Sequence, residues 1–520
     1  MATPSEKLAD SLEILHKLQS EQQLSIIQAR HLSRTHKERL LKTGFIQEII
    51  KGWYMPSRPD EVKGDSTSWY TSFWDFCSEY LNNKFGQDWI LSPEQSLSIY
   101  GANWMVPRQL LVRSPNAHNN TLNLPYDTSI FDIRLSLPAK NEIQESEGLR
   151  IYSLSSALVA ASPVYFTRNP MDARTALSMV RDASDLLTIL LDGGHSIIAG
   201  RLAGAFRNIA NDRIADEIVE TMQAAGYDVR ENDPFNEKLK SVFSFREVSP
   251  YVNRIKLMWE QMREVVIRNF PKPPGIPKNV DSYLKNVDEV FVTDAYHSLS
   301  IEGYRVTPEL IEGVRKGEWN PERNEADNDQ KNALAARGYW QAFQAVKESI
   351  AKILDGNNSG DVLDSDHRIW YRELFSPSVA IGLLKASDLA GYRNGQVYIR
   401  RSMHVPLNRD AVRDTMPVFF DLLRQEKEAA VRVVLGHFIF VYIHPYMDGN
   451  GRIGRFLMNA MLASGGYPWT VVPLGERNNY MQALERASVN QDITEFAQFL
   501  SRLVQGGLEG KALPDIPKSP

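Results

Sequence analysis

The sequence contains almost no cysteine: Cys77 stands alone among 520 residues. One thiol cannot close an intramolecular disulfide, which fits a reducing compartment. Long apolar runs are missing too, and none approaches the ~20 residues that cross a bilayer. The opening MATPSEKLADSLEILHK lacks the charged-then-apolar order of a signal peptide. There is no internal repeat, no Walker A run and no H-E-x-x-H pair. A strong net charge is also absent; at −5, nucleic acid is disfavoured as a partner of the whole surface, though not of a local basic patch. What is present, 43% hydrophobic and 10% aromatic residues, excludes global disorder. At roughly 100–200 residues per domain the length predicts about three domains. The expectation is a multidomain cytoplasmic protein that does not enter membranes.

Punctuation divides the chain. Residues 271–277 (PKPPGIP) hold four Pro and one Gly, which forbid both helix and central strand, so 271–279 reads as a linker. Ser114–Asn120 is a second such stretch, and the tail 506–520 is expected to fray. Beyond the linker the pattern is helical. Ala429–Ile443 is apolar nearly all round, as a buried central helix would be. A second helix is expected over Arg452–Ser464, closed by Gly465-Gly466. Thr307-Pro308 looks like an N-cap followed by Pro at the first helical position. Gly391–Val405 alternates around Asn394-Gly395 and predicts a β-hairpin. Residues 125–250 are less informative; Gly200 and Gly204, four apart, predict close helix packing.

The first hundred residues suggest helices over Glu21–Leu32 and Arg34–Lys42, then a strand, turn and strand over Gly44–Tyr54. Helices before such a ribbon predict a winged helix-turn-helix. Between Arg30 and Lys51, six Lys/Arg face two Glu, a local excess of +4. Arg34, Lys37 and Arg39 are therefore the DNA-contact candidates, with a solvated basic face as the plainer alternative.

The densest chemical signal is His444-Pro445-Tyr446-Met447-Asp448-Gly449-Asn450-Gly451-Arg452-Ile453-Gly454-Arg455. Pro445 ends the apolar helix and leaves His444 at its rim. Gly449, Asn450 and Gly451 form a turn whose backbone N–H groups can converge on an anion at the next helix's N-terminus. Arg452 and Arg455, three apart, share a helix face and can clamp phosphate oxygens. Asp448 can hold Mg²⁺, a hard ion that suits oxygen ligands. His444 can take a proton from an attacking hydroxyl near neutral pH. Base, metal ligand, anion nest and cationic clamp are the equipment of phosphoryl or nucleotidyl transfer.

The same letters satisfy G-x-G-x-x-G over 449–454, with Glu476 about twenty residues on, the fingerprint of a dinucleotide fold. Its context fails. The preceding apolar run is too long for a strand, five residues separate it from the first Gly, and too little chain follows for a doubly wound sheet.

The His444–Arg455 run resembles the Fic (filamentation induced by cAMP) signature, H-P-F-x-[D/E]-G-N-G-R-x-x-R, with Tyr446 in place of Phe. The resemblance extends over residues 280–505. It implies a mainly α architecture with an all-helical core, and transfer of AMP from ATP to a Ser, Thr or Tyr hydroxyl of a target protein. By position it makes His444 the base, Asp448 the Mg²⁺ ligand, Asn450 and Arg452 the α/β-phosphate contacts, and Arg455 the γ-phosphate contact. Gln396, Val397, Tyr398 and Ile399 lie where the family keeps a hairpin flap that docks the target. Arg477-Asn478-Asn479-Tyr480 looks like the segment that borders adenine, with Asn478 and Tyr480 as the contacts.

Ser298-Leu299-Ser300-Ile301-Glu302-Gly303 resembles the family's inhibitory motif, [S/T]-x-x-x-E-[G/N]. Gly303 marks a helix C-terminus, where an anion such as Glu302 is unfavourable unless a cation answers it. The resemblance makes Arg455 that cation, with the Glu302–Arg455 pair blocking the γ-phosphate. In some relatives the same Glu supports AMP removal, so the reverse reaction is implied as well.

The N-terminal stretches IIKGWYMPS and ILSPEQSLSIYGA resemble winged-helix regulators of the abortive-infection antitoxin type. The expected domains are a winged helix-turn-helix over 1–110, an α/β or helical middle over 111–270, the linker, and the Fic domain over 280–505. Expected partners are a hydroxyl-bearing target protein, DNA through the N-terminal region, and a second copy of the chain. The alternative function is a DNA-binding regulator that uses the Fic domain as a nucleotide sensor.

Overall fold

The computed structural model describes residues 3–20, 24–59, 66–236, 249–318 and 327–517. Glu21–Gln23 of the first expected helix and the end of the tail, 518–520, lie outside them. The chain is mainly helical, with its strands in the N-terminal half. It divides into two units, residues 1–250 with 398–405, and residues 251–397 with 406–520.

In the N-terminal unit, Ser33 caps helix Arg34–Thr43 by accepting from the His36 N–H. Strands Ile46–Ile50 and Trp53–Pro56 follow, joined at Gly52, whose φ of +87° suits the tight turn. The stretch expected as a helix from Glu21 instead supplies strand Ile27–Gln28, which pairs with Trp53 and Tyr54, and a 3-10 turn at Ala29–His31. Ile26 and Ile27 are fully buried, and burial of these β-branched side chains against the ribbon outweighs helix propensity.

A four-stranded sheet then runs in the order Ile90–Leu91, Gln109–Ser114, Thr128–Arg134, Thr121–Leu124, its two long strands parallel. Trp69, Phe73 and Phe76 on helix Thr67–Phe85 recur at helical spacing and fill one core with Leu110, Val112 and Ile130 from the sheet. This core also takes in Ile49 and Ile151, so packing is continuous across the expected boundary at 110. A helical core follows over Leu154–Ala160, Pro170–Ser178, Ser184–Asp192, Ser196–Asn208 and Asp212–Ala224. The expected tightness at Gly200 and Gly204 is present, but the neighbour is extended chain. A Cβ at Gly200 would lie 2.0 Å from the Arg230 carbonyl oxygen, and one at Gly204 2.3 Å from that of Asn232.

The C-terminal unit begins ahead of the Pro-rich linker. Helix Pro250–Asn269 packs within it, through Arg254 Nε donating to the Tyr442 hydroxyl (3.0 Å) and Arg263 forking onto Glu426 (2.8 and 3.0 Å). The expected limit at 270 therefore falls inside this unit's structure. Residues 271–277 are irregular, as four prolines require. Helices Val280–Ile301, Pro308–Arg315, Asp327–Leu354, Ser359–Ala380 and Arg409–Gln425 surround helix Ala429–Ile443, which is buried on nearly every side. Asn450–Ala463 packs against it, and Arg477–Val489 and Thr494–Leu508 complete the unit. The Thr307 cap is present, its hydroxyl accepting from the Leu310 N–H at 3.2 Å.

The hairpin expected over Gly391–Val405 does not form: these residues contain no strand. The buried Arg393 guanidinium takes the carbonyls of His444 (2.7 Å), Gly395 (2.9 Å) and Leu407, so backbone acceptors that a ladder would use serve a side chain instead.

Candidate active site

Helix Ala429–Ile443 ends where His444 turns left-handed at φ +55°, its N–H still bonded to the Phe440 carbonyl (3.0 Å). The ring's Nδ1 faces the Val441 carbonyl at 3.0 Å. A carbonyl only accepts, so Nδ1 carries the proton and Nε2 keeps its lone pair. Burial lowers the His444 pKa to about 4, and the nearby Arg393 cation adds to that. The ring is therefore a neutral base at pH 7.

The loop beyond is held by its own side chains. Asn450 accepts from the Tyr446 N–H (2.9 Å) and donates to the Tyr446 carbonyl (2.8 Å). Its amide thus braces the turn. Asp448 Oδ1 accepts the Gly449 N–H (2.6 Å) and Oδ2 faces Arg452 Nη2 (3.3 Å), with the side chain 67% exposed. Gly449 caps helix Asn450–Ala463 at φ +82°, and a Cβ there would also strike Phe375 at 2.9 Å. Gly451 is needed for space: a Cβ would stand 2.3 Å from Glu302 Oε1.

Both motif arginines are buried. Arg455, 3% exposed, donates through Nε to the Ser298 hydroxyl (2.9 Å) and through Nη2 to the Ser298 carbonyl (3.0 Å) and Glu302 Oε1 (2.7 Å). Helix Val280–Ile301 delivers both partners, with Glu302 at its C-cap and Gly303 reversing the chain at φ +91°. Burial would push the Glu302 carboxyl up; Arg455, and after it Arg452, outweigh this and hold it below the ordinary glutamate value. Arg452 lies over the rings of Tyr304 (5.3 Å) and Phe375 (5.0 Å). Beside the motif opens a cavity of about 700 Å³, lined by Glu302, Tyr304, Arg305, Lys331, Asp448 and Arg452.

The structure thus brings together Ser298, Glu302, Gly303, His444, Asp448 and the Gly449–Arg455 turn. Other expected site residues lie differently. Tyr480 is buried with its hydroxyl on His437 Nε2 (2.7 Å) and lies beside the Arg455 cation, whereas Asn478 is exposed on helix Arg477–Val489. Gln396 donates to the Pro406 carbonyl (2.8 Å), Val397 is buried, and Tyr398 and Ile399 belong to the irregular segment 398–405. In the N-terminal unit Arg39 points inward to the Lys7 carbonyl and Ser11 (2.5 and 2.7 Å), Arg34 pairs with Glu38 (2.7 Å), and Lys37 lies over Tyr54 (5.9 Å).

Several contributors hold roles that no motif announces. Arg393 fixes the backbone at His444, and Arg477 Nε holds the Ile301 carbonyl (2.9 Å) at the end of the Glu302 helix. Asp294, buried one turn before Ser298, accepts from the Tyr339 hydroxyl (2.6 Å), and burial raises its pKa to about 6. A lone acid among the buried positions of that helix is the signal that marks it.

One carboxylate beside an open cavity and two arginines fits Mg²⁺, which binds through one or two carboxylates plus substrate phosphates. Among the described residues no group of three His, Cys, Asp or Glu forms a protein-only metal cage.

A sequence profile of the Fic/DOC family matches residues 365–462. The chain is 24% identical over 257 residues to "Protein adenylyltransferase Fic" of Nematostella vectensis, covering 48% of this chain and 56% of that protein. It is 27% identical over 225 residues to the Drosophila willistoni protein of the same name, covering 42% and 41%. The chain therefore spans about half the length of the curated relatives it matches. Among solved structures, "Fic-1 (aa134 - 508) from C. elegans" aligns with a TM-score of 0.37 at 14% identity, covering 69% of this chain and 90% of that one. A Fic-domain-containing signaling protein from Bacteroides thetaiotaomicron aligns with a TM-score of 0.34 at 17% identity, covering 50% and 100%. On the sequence match, the C-terminal half of the chain carries a Fic domain, and the His444–Arg455 loop lies within it.

Proposed function

We propose that the protein is an adenylyltransferase that moves AMP from ATP onto a hydroxyl side chain of a target protein, and that Glu302 restrains it. The carrying observation is the neutral His444 with Nε2 free of its own helix, in one loop with Asp448 and just ahead of the helix that carries Arg452 and Arg455. The names of the relatives support the same chemistry.

His444 Nε2 removes the proton of the target hydroxyl. The oxygen attacks the α-phosphorus, the bond from that phosphorus to the bridging α/β oxygen breaks, and pyrophosphate leaves with the electron pair. Arg452 and Arg455 offset the charge on the phosphates. Mg²⁺ held by Asp448 would supply further charge neutralisation. Glu302 already uses Arg455 Nη2, so a triphosphate meets a cation whose charge is answered. Incubation with target-containing lysate and ATP labelled at either the α- or the γ-phosphate tests the reaction. Protein-bound α-label that disappears in His444→Ala is expected; transfer of the γ-label alone would make the protein a kinase.

The alternative of a DNA-binding regulator has weaker support. Of its three candidate cations, Arg39 is committed within its own unit and Arg34 is paired.

A further inference from the structure

Arg452 is a buried cation with little to hold it. Among the described residues its one salt bridge, Nη2 to Asp448, is long at 3.3 Å, and its buried Nε–H has no partner. Such a donor is costly to bury unless an acceptor arrives. Its guanidinium lies over two rings, Phe375 from helix Ser359–Ala380 and Tyr304 from the turn after Glu302. Rings attract a guanidinium through its face and leave its in-plane N–H groups directed outward, the geometry that phosphate oxygens need.

The turn that carries Tyr304 is fastened at successive points. The Tyr304 N–H donates to the Leu299 carbonyl (3.1 Å), and the Arg305 N–H to Asn332 Oδ1 (3.0 Å). Arg477 grips the Ile301 carbonyl before it, and the Thr307 cap starts the next helix after it. Glu302, between these anchors, keeps a side chain 27% exposed at the edge of the cavity.

We propose that Tyr304 is a positioning residue for nucleotide binding: with Phe375 it aims Arg452 at the phosphates, and the Glu302 side chain leaves Arg455 while the turn and Tyr304 stay in place. This rests on the proposed nucleotide-transfer reading and adds a sign to it. If the whole turn swung away, Tyr304 would leave Arg452 when the nucleotide enters, and removing the ring would help binding or leave it unchanged.

The test uses the full chain with Glu302→Gly as parent, ATP affinity by calorimetry, and steady-state AMP transfer. Adding Tyr304→Ala is expected to weaken ATP binding and raise KM about three- to tenfold, the range of one partly desolvated cation–ring contact, while kcat holds. Tyr304→Phe, which keeps the ring, is expected to recover the tight binding and exclude a folding defect as the cause. Equal or tighter binding in Tyr304→Ala overturns the proposal. So does equal weakening in Tyr304→Phe, since the ring would then not be the operative group. If the Glu302→Gly parent binds no ATP, the nucleotide-transfer reading fails and takes this one with it.

Discussion

Two arginines, one in each unit, show how the same side chain serves different ends. Arg207, 37% exposed, meets Asp216 and Glu231 at 2.6 Å and Asp212 at 3.3 Å. Every edge of its guanidinium has a carboxylate, and those acids come from helix Asp212–Ala224 and the extended segment behind it. Arg455 is 3% exposed and, among the described residues, meets one carboxylate and keeps Nη1 without a hydrogen-bond partner. The first is a surface fastening with its donors saturated. The second is a buried cation with capacity left over, and its single acid is partly exposed at a cavity. Where solvent can replace a lost partner, an ion pair is weakly coupled to anything else; where it cannot, removing the acid leaves a charge that demands an anion.

If the C-terminal site is the chemical one, the largest effect belongs to its base. His444→Ala is expected to cut AMP transfer by about 10²–10⁴-fold, measured as initial rates, with ATP affinity retained. A variant that keeps most of its rate would take His444 out of the chemistry.

The acid response should separate the units next. His367, His437 and His444 in the C-terminal unit are each lowered by burial to about 4. In the unfolded chain they take protons near pH 6.5, which the fold refuses until about 4. Stability is therefore present above 6.5 and lost as pH falls towards 4. Hydrogen exchange across that range should accelerate in helix Ala429–Ile443 before helix Ser196–Asn208, after correction for intrinsic rates. The same lowered pKa puts the acid limb of the pH–rate profile near 4 for His444.

Smaller effects sharpen the contrast in polar satisfaction. The Tyr446 hydroxyl is buried and, among the described residues, has no hydrogen-bond partner, its ring stacked on Tyr371 at 3.9 Å. Tyr446→Phe should raise unfolding free energy by about 1 kcal/mol in denaturant titration and leave AMP transfer in place. Arg207→Ala should cost less than about 1 kcal/mol, because water replaces what the exposed network loses. A larger loss there would erase the distinction between the two arginines.

Much of the C-terminal unit was legible because its chemistry is contiguous. Pro445 and Gly449 mark the loop ends in the sequence, and an apolar stretch of fifteen residues admits little except a buried helix. Glu302 was readable through a short local pattern around Gly303. Arg393, Tyr304 and Phe375 were not, since each acts on a residue remote in the chain. The misread hairpin has the same origin: alternation around Asn394-Gly395 says nothing of a guanidinium that claims the carbonyls. Tyr480, expected at the adenine, has its hydroxyl on His437 and lies beside Arg455, contacts with remote residues that the local sequence does not announce. In the N-terminal unit, short strands and long-range packing left local patterns weak, and Ile26 and Ile27 went to a sheet that the local sequence does not announce.

The most direct test compares initial rates of α-labelled AMP transfer by wild type and Glu302→Gly at equal ATP. With Arg455 released to phosphate, the variant should be faster by at least about tenfold, the effect of freeing one charge-assisted contact. Equal rates, or a slower variant that is fully folded, would contradict the restraint assigned to Glu302.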